Sequence, residues 1–235
     1  IRMEIEPFYK SNYIKNNINN CNSDLNFQVI EWVTLDEEDL DEMEDTCNDI
    51  YTMRCLGVTN EGVSICCKIT DFTPFYYIKV KDFKKNGKID RVKLNLFLDY
   101  IENNWCMKKK IDDVSVNYFS KCLLRDKCTV VEKKDLYGFR NGKMYEYIRL
   151  TFNNYTVLKK SKYIFKRPVH IYGITKTAIK YKLYESNFEP FMRFCHMKDI
   201  KMAGWVKLPA NKYSFTQNES TTQVEVSINW KNIVS

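Results

Sequence analysis

Glycine, proline and histidine are scarce in this chain, and their scarcity removes several kinds of site from consideration. The sequence has seven glycines, five prolines and two histidines among 235 residues. The glycines are isolated, so neither GxGxxG nor GxxxxGK[ST] occurs and nucleotide binding by those two phosphate loops is unsupported. With only His170 and His196, neither a Cys/His catalytic pair nor a histidine-rich metal site is expected.

The nine cysteines include no CxxC pair, although paired short spacings are typical of zinc sites. Several lie in apolar runs, at 64–69 and 120–124, where a free cysteine behaves as a small hydrophobic residue. We therefore expect buried, reduced thiols and no metal site.

Long apolar runs are also missing, and no stretch approaches the roughly 20 residues that span a bilayer. No apolar signal segment lies near Ile1, and the lack of an initiator methionine there suggests a fragment. With 44% hydrophobic and 14% aromatic residues, the chain has enough apolar surface for a core. These features predict a soluble, intracellular, globular protein.

Charge is unevenly distributed, although the net charge is only +7. Residues 1–78 carry 5 bases and 15 acids, residues 79–182 carry 26 and 10, and residues 183–235 carry 6 and 5. A basic middle indicates a polyanionic partner. Nine of the acids lie within 36–49, and such a block usually stays in solvent. A catalytic metal site needs carboxylates that converge from rigid elements, so this run is not expected to bind metal.

The hydrophobic pattern predicts a mixed α+β fold with three parts. Residues 1–26 are polar and predict an irregular arm. Alternating runs at 27–33, 51–58, 63–70, 203–207 and 223–229 predict strands, the second and third forming a hairpin across 60–62. Because these runs lie near both ends of the chain, residues 27–74 and 200–235 are predicted to form one discontinuous β-rich subdomain, a β-barrel or OB-like sheet.

The middle of the chain has a different pattern. Strands are predicted at 75–80, 129–133, 143–152 and within 179–185, with helices at 91–107 and 153–165 and a further β-like run at 114–124. The order βαββαβ is that of the ferredoxin-like fold, which RNA-recognition modules use. Residues 75–199 are thus predicted to be an inserted ferredoxin-like subdomain with a connecting helix.

Central strands of that fold present aromatic rings on which bases stack. The candidates are Tyr76 or Tyr77 with Lys79, and Tyr145 or Tyr147 with Arg149. The alternative is that these rings pack the core, and the glycine-rich signature of RNA-recognition modules is absent.

Three basic clusters lie in the same segment, and together they would neutralise several phosphates, which makes affinity dependent on salt. The clusters are Lys79, Lys81, Lys84, Lys85 and Lys88; Lys108, Lys109 and Lys110; and Lys159, Lys160, Lys162, Lys166 and Arg167. The residues predicted to bind nucleic acid are Tyr76, Tyr77, Lys79, Lys81, Lys108, Lys109, Lys110, Tyr147, Arg149, Lys159 and Lys160. No catalytic residue is predicted.

Several segments of the sequence match motifs of a known protein family. The segments are GVSICCKITDFTPFYY at 62–77, LYGF at 136–139, YIRL at 147–150 and VEVSINWKNIVS at 224–235. The most specific match is the spaced series YESN at 184–187, MRF at 192–194, DI at 199–200, GW at 204–205, LP at 208–209 and KY at 212–213. Together these segments resemble the delta-type family B DNA polymerases. Asn211 departs from the glycine usual in the family. The content of Asn, Lys, Ile and Tyr suggests a polymerase of a large DNA virus.

The resemblance implies that the chain is the amino-terminal domain of a DNA-directed DNA polymerase with 3′–5′ exonuclease activity. It implies a non-catalytic scaffold that contacts single-stranded template DNA beside the exonuclease and palm domains, both of which lie outside this chain. The parent enzyme would use Mg²⁺, whereas no cofactor is expected in this region. Replication accessory proteins are further expected partners, no membrane is expected, and the location would be a host nucleus or a cytoplasmic replication site.

Two other interpretations stay open from the sequence. One is a self-standing RNA- or single-stranded-DNA-binding module of RNA-recognition-like fold. The other is a nuclease that uses the acidic run, with Asp36 and Glu38 as its carboxylates.

Overall fold

The structure, a computed structural model, describes residues 21–37, 50–104, 108–111, 114–117, 122–135, 141–216 and 220–235, except for the side chains of 37, 108–111 and 114–117. Most of the predicted arm and residues 38–49 of the acidic run lie outside these ranges. The chain divides into two compact units, the first built from 1–35, 52–72 and 191–235, and the second from 36–51 and 73–190. By this division residues 191–199, which the sequence analysis placed in the inserted subdomain, belong to the first unit.

The described chain is rich in strands and has few helices. The strands are β1 Leu25–Glu37, β2 Ile50–Thr59, β3 Ser64–Thr70, β4 Phe75–Val80, β5 Lys84–Lys85, β6 Lys88–Ile89, β7 Lys108–Ile111, β8 Val114–Asn117, β9 Thr129–Lys134, β10 Met144–Thr151, β11 Leu183–Tyr184, β12 Trp205–Leu208, β13 Tyr213–Phe215 and β14 Val224–Asn229. The helices are α1 Arg91–Asn104, α2 Tyr155–Ser161 and α3 Pro190–Lys198, with 3-10 turns at Arg125–Lys127 and Lys162–Lys166. This content confirms the predicted α+β class.

The first unit contains a six-stranded sheet of order β12-β1-β2-β3-β14-β13. The predicted hairpin is confirmed, since β2 and β3 pair antiparallel with Cys55 opposite Cys67. Gly62 lies in its turn at a φ of +79°, a conformation that glycine adopts without steric cost. Strand β14 pairs parallel with β3, placing Ile228 opposite Ile69.

Alternation explains how that sheet forms its core. Phe27 and Val29 of β1 are buried while the residues between and after them, Gln28 and Ile30, are exposed. One face of such a strand meets apolar neighbours and the other meets water.

β13 and α3 were not predicted as elements.

The second unit contains a four-stranded sheet of order β11-β4-β10-β9 in which all neighbours are antiparallel. Helices α1 and α2 cover one face. Helix α1 buries Leu94, Phe97, Leu98 and Ile101, which recur at the 3.6-residue period of an amphipathic helix. These side chains pack with the inward residues of the strands, among them Tyr76, Ile78, Ile148 and Leu150.

Helix α2 begins at a set of side-chain acceptors that includes one long-range contact. Asn154 Oδ1 accepts the backbone N–H of Val157 at 2.7 Å. The Asp36 carboxylate accepts the N–H groups of Tyr155 at 2.8 Å and Thr156 at 2.9 Å, and the Thr156 hydroxyl at 2.7 Å. The expectation that the whole acidic run stays in solvent is wrong for Asp36, because the open N–H groups of a helix start attract a carboxylate. Glu38 lies outside the described residues.

Replacing Asp36 with alanine is therefore expected to lower the free energy of unfolding by about 1 kcal/mol, the usual cost of losing a helix-start acceptor. Denaturation of the 235-residue chain in urea measures this loss. Glu31→Ala on the exposed part of β1 is the matched control and is expected to change stability by less than about 0.5 kcal/mol. Equal losses for the two variants would contradict the role given to Asp36.

The expected reduced thiols are confirmed for the described residues. Cys55, Cys66, Cys67, Cys122, Cys128 and Cys195 are free and buried, and Cys21 is free and half-buried. Burial raises the pKa of Cys128 to about 12, so its thiol stays protonated and unreactive at neutral pH. Across the part of the chain that the structure describes, no helix has both the length and the apolar character needed to cross a membrane.

Candidate nucleic-acid interface

The four-stranded sheet of the second unit has aromatic and basic side chains on the face opposite its helices. We call this the aromatic–basic face; its residues are Phe75, Tyr77 and Lys79 of β4, Tyr145, Tyr147 and Arg149 of β10, Val131 and Lys133 of β9, and Tyr184 of β11. Phe75, Tyr77, Tyr147 and Tyr184 form a cluster separate from the main core.

Strand alternation and register create this face. In β4 the residues Tyr76, Ile78 and Val80 point to the helices, so their neighbours point away. Pairing then brings Tyr147 opposite Lys79 on one side and opposite Val131 on the other. Arg149 lies opposite Tyr77, which in turn lies opposite Tyr184.

Cations lie over the rings of the face. Lys79 Nζ is 3.5 Å from the centroid of the Tyr145 ring, and Lys133 Nζ is 4.0 Å from that of Tyr77. Arg149 Cζ is 5.4 Å from the centroid of the Phe75 ring. Lys143 Nζ lies 5.6 Å from the centroid of the Tyr145 ring, and Lys182 Nζ lies 4.9 Å from that of the Tyr184 ring. Such contacts hold ammonium groups over aromatic carbon while leaving part of their charge available to solvent.

One acid balances part of this charge. Asp135 Oδ2 is 2.6 Å from Lys79 Nζ, and the Tyr184 hydroxyl donates to Asp135 Oδ1 at 3.1 Å. Lys133 and Lys143 are exposed, and no acid partner of either is recorded among the described residues. Burial raises the pKa of Tyr147, and the nearby charge of Asp135 adds to that effect. The Tyr147 phenol therefore stays neutral, and the exposed lysines carry the positive charge of the face.

The predicted site residues fall into five places. Tyr77, Lys79, Tyr147 and Arg149 lie together on the aromatic–basic face, and Lys81 is exposed just beyond β4.

Tyr76 is fully buried among the helices, with its hydroxyl 3.0 Å from Ser161 Oγ, and so cannot reach a base. Lys159 and Lys160 lie on α2, on the helical side of the sheet. Lys108, Lys109 and Lys110 form part of β7, and their side chains lie outside the described residues.

Five residues of the face were not among the residues predicted to bind nucleic acid: Phe75, Val131, Lys133, Tyr184 and Tyr145, the last of which was named only as the alternative to Tyr147. Phe75 had a usable signal, because it lies two positions before the predicted Tyr77 in a predicted strand. Tyr184 had none, because β11 has only two residues and its pairing with β4 depends on the fold of the unit. The described residues contain no group of three or more His, Cys, Asp or Glu side chains placed to hold a metal ion.

Comparison with known proteins gives consistent matches. The family model described as DNA polymerase family B, exonuclease domain, matches residues 181–235. The region that the sequence analysis placed ahead of the exonuclease domain is thus part of what that family model includes.

Curated relatives extend the match over most of the chain. The DNA polymerase of Acanthamoeba polyphaga mimivirus is 30% identical over 210 residues, which is 88% of this chain and 11% of that protein. The DNA polymerase of Pyramimonas orientalis virus is 29% identical over 88% of this chain and 15% of its own. The DNA polymerase delta catalytic subunit of Schizosaccharomyces pombe is 26% identical over 84% of this chain and 17% of its own. The chain thus spans less than a fifth of the length of each of these relatives.

The fold is also similar to that of a solved polymerase. The family B DNA polymerase from the hyperthermophilic archaeon Pyrobaculum calidifontis superposes with a TM-score of 0.51 at 12% identity, covering 87% of this chain and 20% of that one. Sequence and fold agree, and the chain is a region of a family B DNA polymerase of the kind carried by large DNA viruses.

Proposed function

We propose that this chain is a non-catalytic region of a replicative DNA-directed DNA polymerase with 3′–5′ proofreading, and that it contacts the single-stranded template and supports the neighbouring domains. The relatives named DNA polymerase support the parent activity, since they match this chain along most of its length. They also favour a polymerase region over a self-standing binding module, because each is several times longer than the chain.

The aromatic–basic face is the observation that carries the contact with template. A single strand presents a line of phosphates, and a surface of exposed lysines attracts them without selecting a sequence. Residues 79–182 hold 26 bases and 10 acids, so the basic residues of the face lie within the most positive part of the chain.

The burial of the rings favours phosphate contact over base stacking. Phe75, Tyr77, Tyr147 and Tyr184 are each less than 10% exposed, and a lysine or arginine lies over the rings of Phe75, Tyr77 and Tyr184. A stacked base needs an open ring surface, and even the half-buried Tyr145 has Lys79 Nζ 3.5 Å from its ring centroid. The rings instead hold the cations in place, and we expect affinity with little preference for base.

The inserted subdomain at 75–199 is proposed to be ferredoxin-like, within a discontinuous β-rich subdomain formed by 27–74 and 200–235. The strand order β11-β4-β10-β9 supports this, because in chain order it is the fourth, first, third and second strand of a βαββαβ unit. Such a compact unit is suited to a scaffold.

The catalytic residues of the parent polymerase, and those that bind its Mg²⁺, are proposed to lie outside this chain. Further proposed partners are the exonuclease and palm domains of the same chain and replication accessory proteins. The proposed location is a nuclear or cytoplasmic site of viral DNA replication.

Fluorescence anisotropy with a labelled oligo-dT strand and the 235-residue chain tests the contact. Binding is expected to weaken steeply between about 50 and about 200 mM salt. Lys133→Gln together with Lys143→Gln removes one exposed charge of the face and a second beside its Tyr145 ring, and should lower the slope of log K against log salt by about 1.4, or 0.7 for each lost phosphate contact.

The matched control is Lys85→Gln with Lys88→Gln, which removes the same charge from the exposed β5–β6 hairpin. This control is expected to change the slope of log K against log salt by less than half as much as Lys133→Gln with Lys143→Gln does. No binding at the lowest salt, or equal losses from the two double variants, would leave the region as a scaffold without a template contact at this face.

A further inference from the structure

A cavity of about 620 Å³ lies in the second unit between α2, the 3-10 turn at Lys162–Lys166, and the segment that follows β11. Its lining consists of Thr156, Lys159, Lys160, Lys162, Tyr163, Phe165, Lys166, Leu183, Ser186 and Asn187. We call it the lysine cavity. Four of these residues are lysines and none is acidic.

The structure holds three of the four ammonium groups in defined positions. Lys162 Nζ donates to the Ser186 carbonyl and to Asn187 Oδ1, both at 3.0 Å. Lys159 Nζ lies 4.5 Å from the centroid of the Tyr155 ring, and Lys166 Nζ lies 3.8 Å from that of Tyr163. A ligand that binds here does not have to order three free lysine side chains, so the entropic cost of binding is reduced.

The cations of the cavity repel one another. Burial lowers the pKa of Lys162, and the positive charge of Lys159 lowers it further. Glu185, Glu189 and Asp36 do not line the cavity, although the Asp36 carboxylate accepts the hydroxyl of the lining residue Thr156 at 2.7 Å. An anion placed among these ammonium groups would relieve the repulsion as well as form new contacts.

We propose that the lysine cavity binds clustered phosphate groups, either those of a nucleotide or two neighbouring phosphates of a nucleic-acid strand. Lysine is a point charge suited to phosphate, and Ser186 and Asn187 add neutral polar groups beside it, whereas the Thr156 hydroxyl already donates to Asp36. The volume lies within the range of roughly 300–1,000 Å³ typical of ligand sites. Tyr163, which is 62% exposed, offers a ring on which a base can stack.

This site is separate from the aromatic–basic face. Leu183 lines the cavity and packs on the core side of the sheet, whereas its neighbour Tyr184 belongs to the opposite face. The proposal therefore does not depend on the template contact, and variants of one surface leave the other unchanged.

Isothermal titration calorimetry of the 235-residue chain with three probes tests the proposal: inorganic tripolyphosphate, a nucleoside triphosphate and an oligo-dT strand, each in chelator and at fixed salt. Lys159→Gln with Lys160→Gln removes two exposed lysines while glutamine keeps the helix propensity. Tripolyphosphate affinity is expected to fall about tenfold, since hydrogen bonds to charged groups are strong. Lys85→Gln with Lys88→Gln is the charge-matched control and should change it less than about twofold.

The pattern over the probes identifies the source of the phosphates. A loss restricted to tripolyphosphate and the triphosphate supports a free nucleotide, and a loss that includes oligo-dT supports a strand. Lys162→Gln, made in parallel, should reproduce the loss, with circular dichroism showing that all variants remain folded. Absence of tripolyphosphate binding, or equal affinity in the cavity and control variants, would overturn the proposal. Lys133→Gln with Lys143→Gln should leave tripolyphosphate binding intact, so failure of the template contact is recognised separately.

Discussion

Replacing Tyr76 with alanine is expected to lower the free energy of unfolding by about 3–5 kcal/mol, the range for truncating a large buried aromatic residue. Tyr76 is fully buried, and its ring stacks on that of Phe152 with centroids 5.6 Å apart and planes 21° apart. Removing it takes apolar surface from the core and leaves a cavity between the sheet and α2. Denaturation in guanidinium chloride measures the loss.

Tyr76→Phe separates the ring from the hydroxyl. The Tyr76 hydroxyl is 3.0 Å from Ser161 Oγ, but that Ser161 hydroxyl also donates to the Leu158 carbonyl at 2.7 Å. The phenylalanine variant should therefore lose only about 1 kcal/mol, and its affinity for oligo-dT should equal that of the unchanged chain. Comparable destabilisation by the two variants, or weaker DNA binding by Tyr76→Phe, would contradict the placement of this ring in the core.

Gly57→Ala is expected to lower the free energy of unfolding by about 1–3 kcal/mol or more, as overpacking does. A Cβ at this position would lie 2.5 Å from the Gln28 carbonyl oxygen and 2.5 Å from Phe27 Cδ2. Phe27 is fully buried, and a backbone carbonyl in a sheet cannot move without breaking its pairing. Urea denaturation, with the midpoint and the slope both fitted, measures the effect.

Gly62→Asn is the control for that substitution, because nothing lies within 4 Å of the Cβ position at Gly62. Its φ of +79° is one that asparagine tolerates better than other side chains, so the loss should be under about 1 kcal/mol. Phe27→Leu in the Gly57→Ala background should restore only part of the stability, since the Gln28 carbonyl still overlaps the new Cβ. Complete restoration would mean that the carbonyl contact is unimportant.

The sequence was a good guide to individual strands and a poor guide to their faces. Strand β4 has the predicted bounds of 75–80, because its apolar and aromatic residues are β-formers throughout. The choice between Tyr76 and Tyr77 could not be made from the pattern, since both sides of β4 bear apolar residues. Only the packing of α1 and α2 against one side decides it.

Long-range contacts account for most of what the sequence could not predict. Asp36 belongs to a run of acids, and nothing local to it indicates a partner at residues 155 and 156. The lysine cavity likewise combines a visible basic cluster with Ser186 and Asn187, which carry no charge and gain meaning only when the chain returns beside α2. A cluster of charged residues can be recognised in the sequence, whereas neutral residues that contact it from a distant segment, such as Ser186 and Asn187, cannot.

The parallel pairing of β3 with β14 has a consequence for how the protein is made. The Thr70 hydroxyl donates to the Ile228 carbonyl across 158 residues of chain, so β3 lacks this neighbour until nearly the whole region has left the ribosome. The strands β4, β9, β10 and β11 all lie between 75 and 184, and their sheet can form first. During synthesis the β3 edge of the β2–β3 hairpin therefore stays unpaired until β14 is made. An unpaired strand edge can pair with another chain, so we expect the nascent chain to aggregate most readily at this stage.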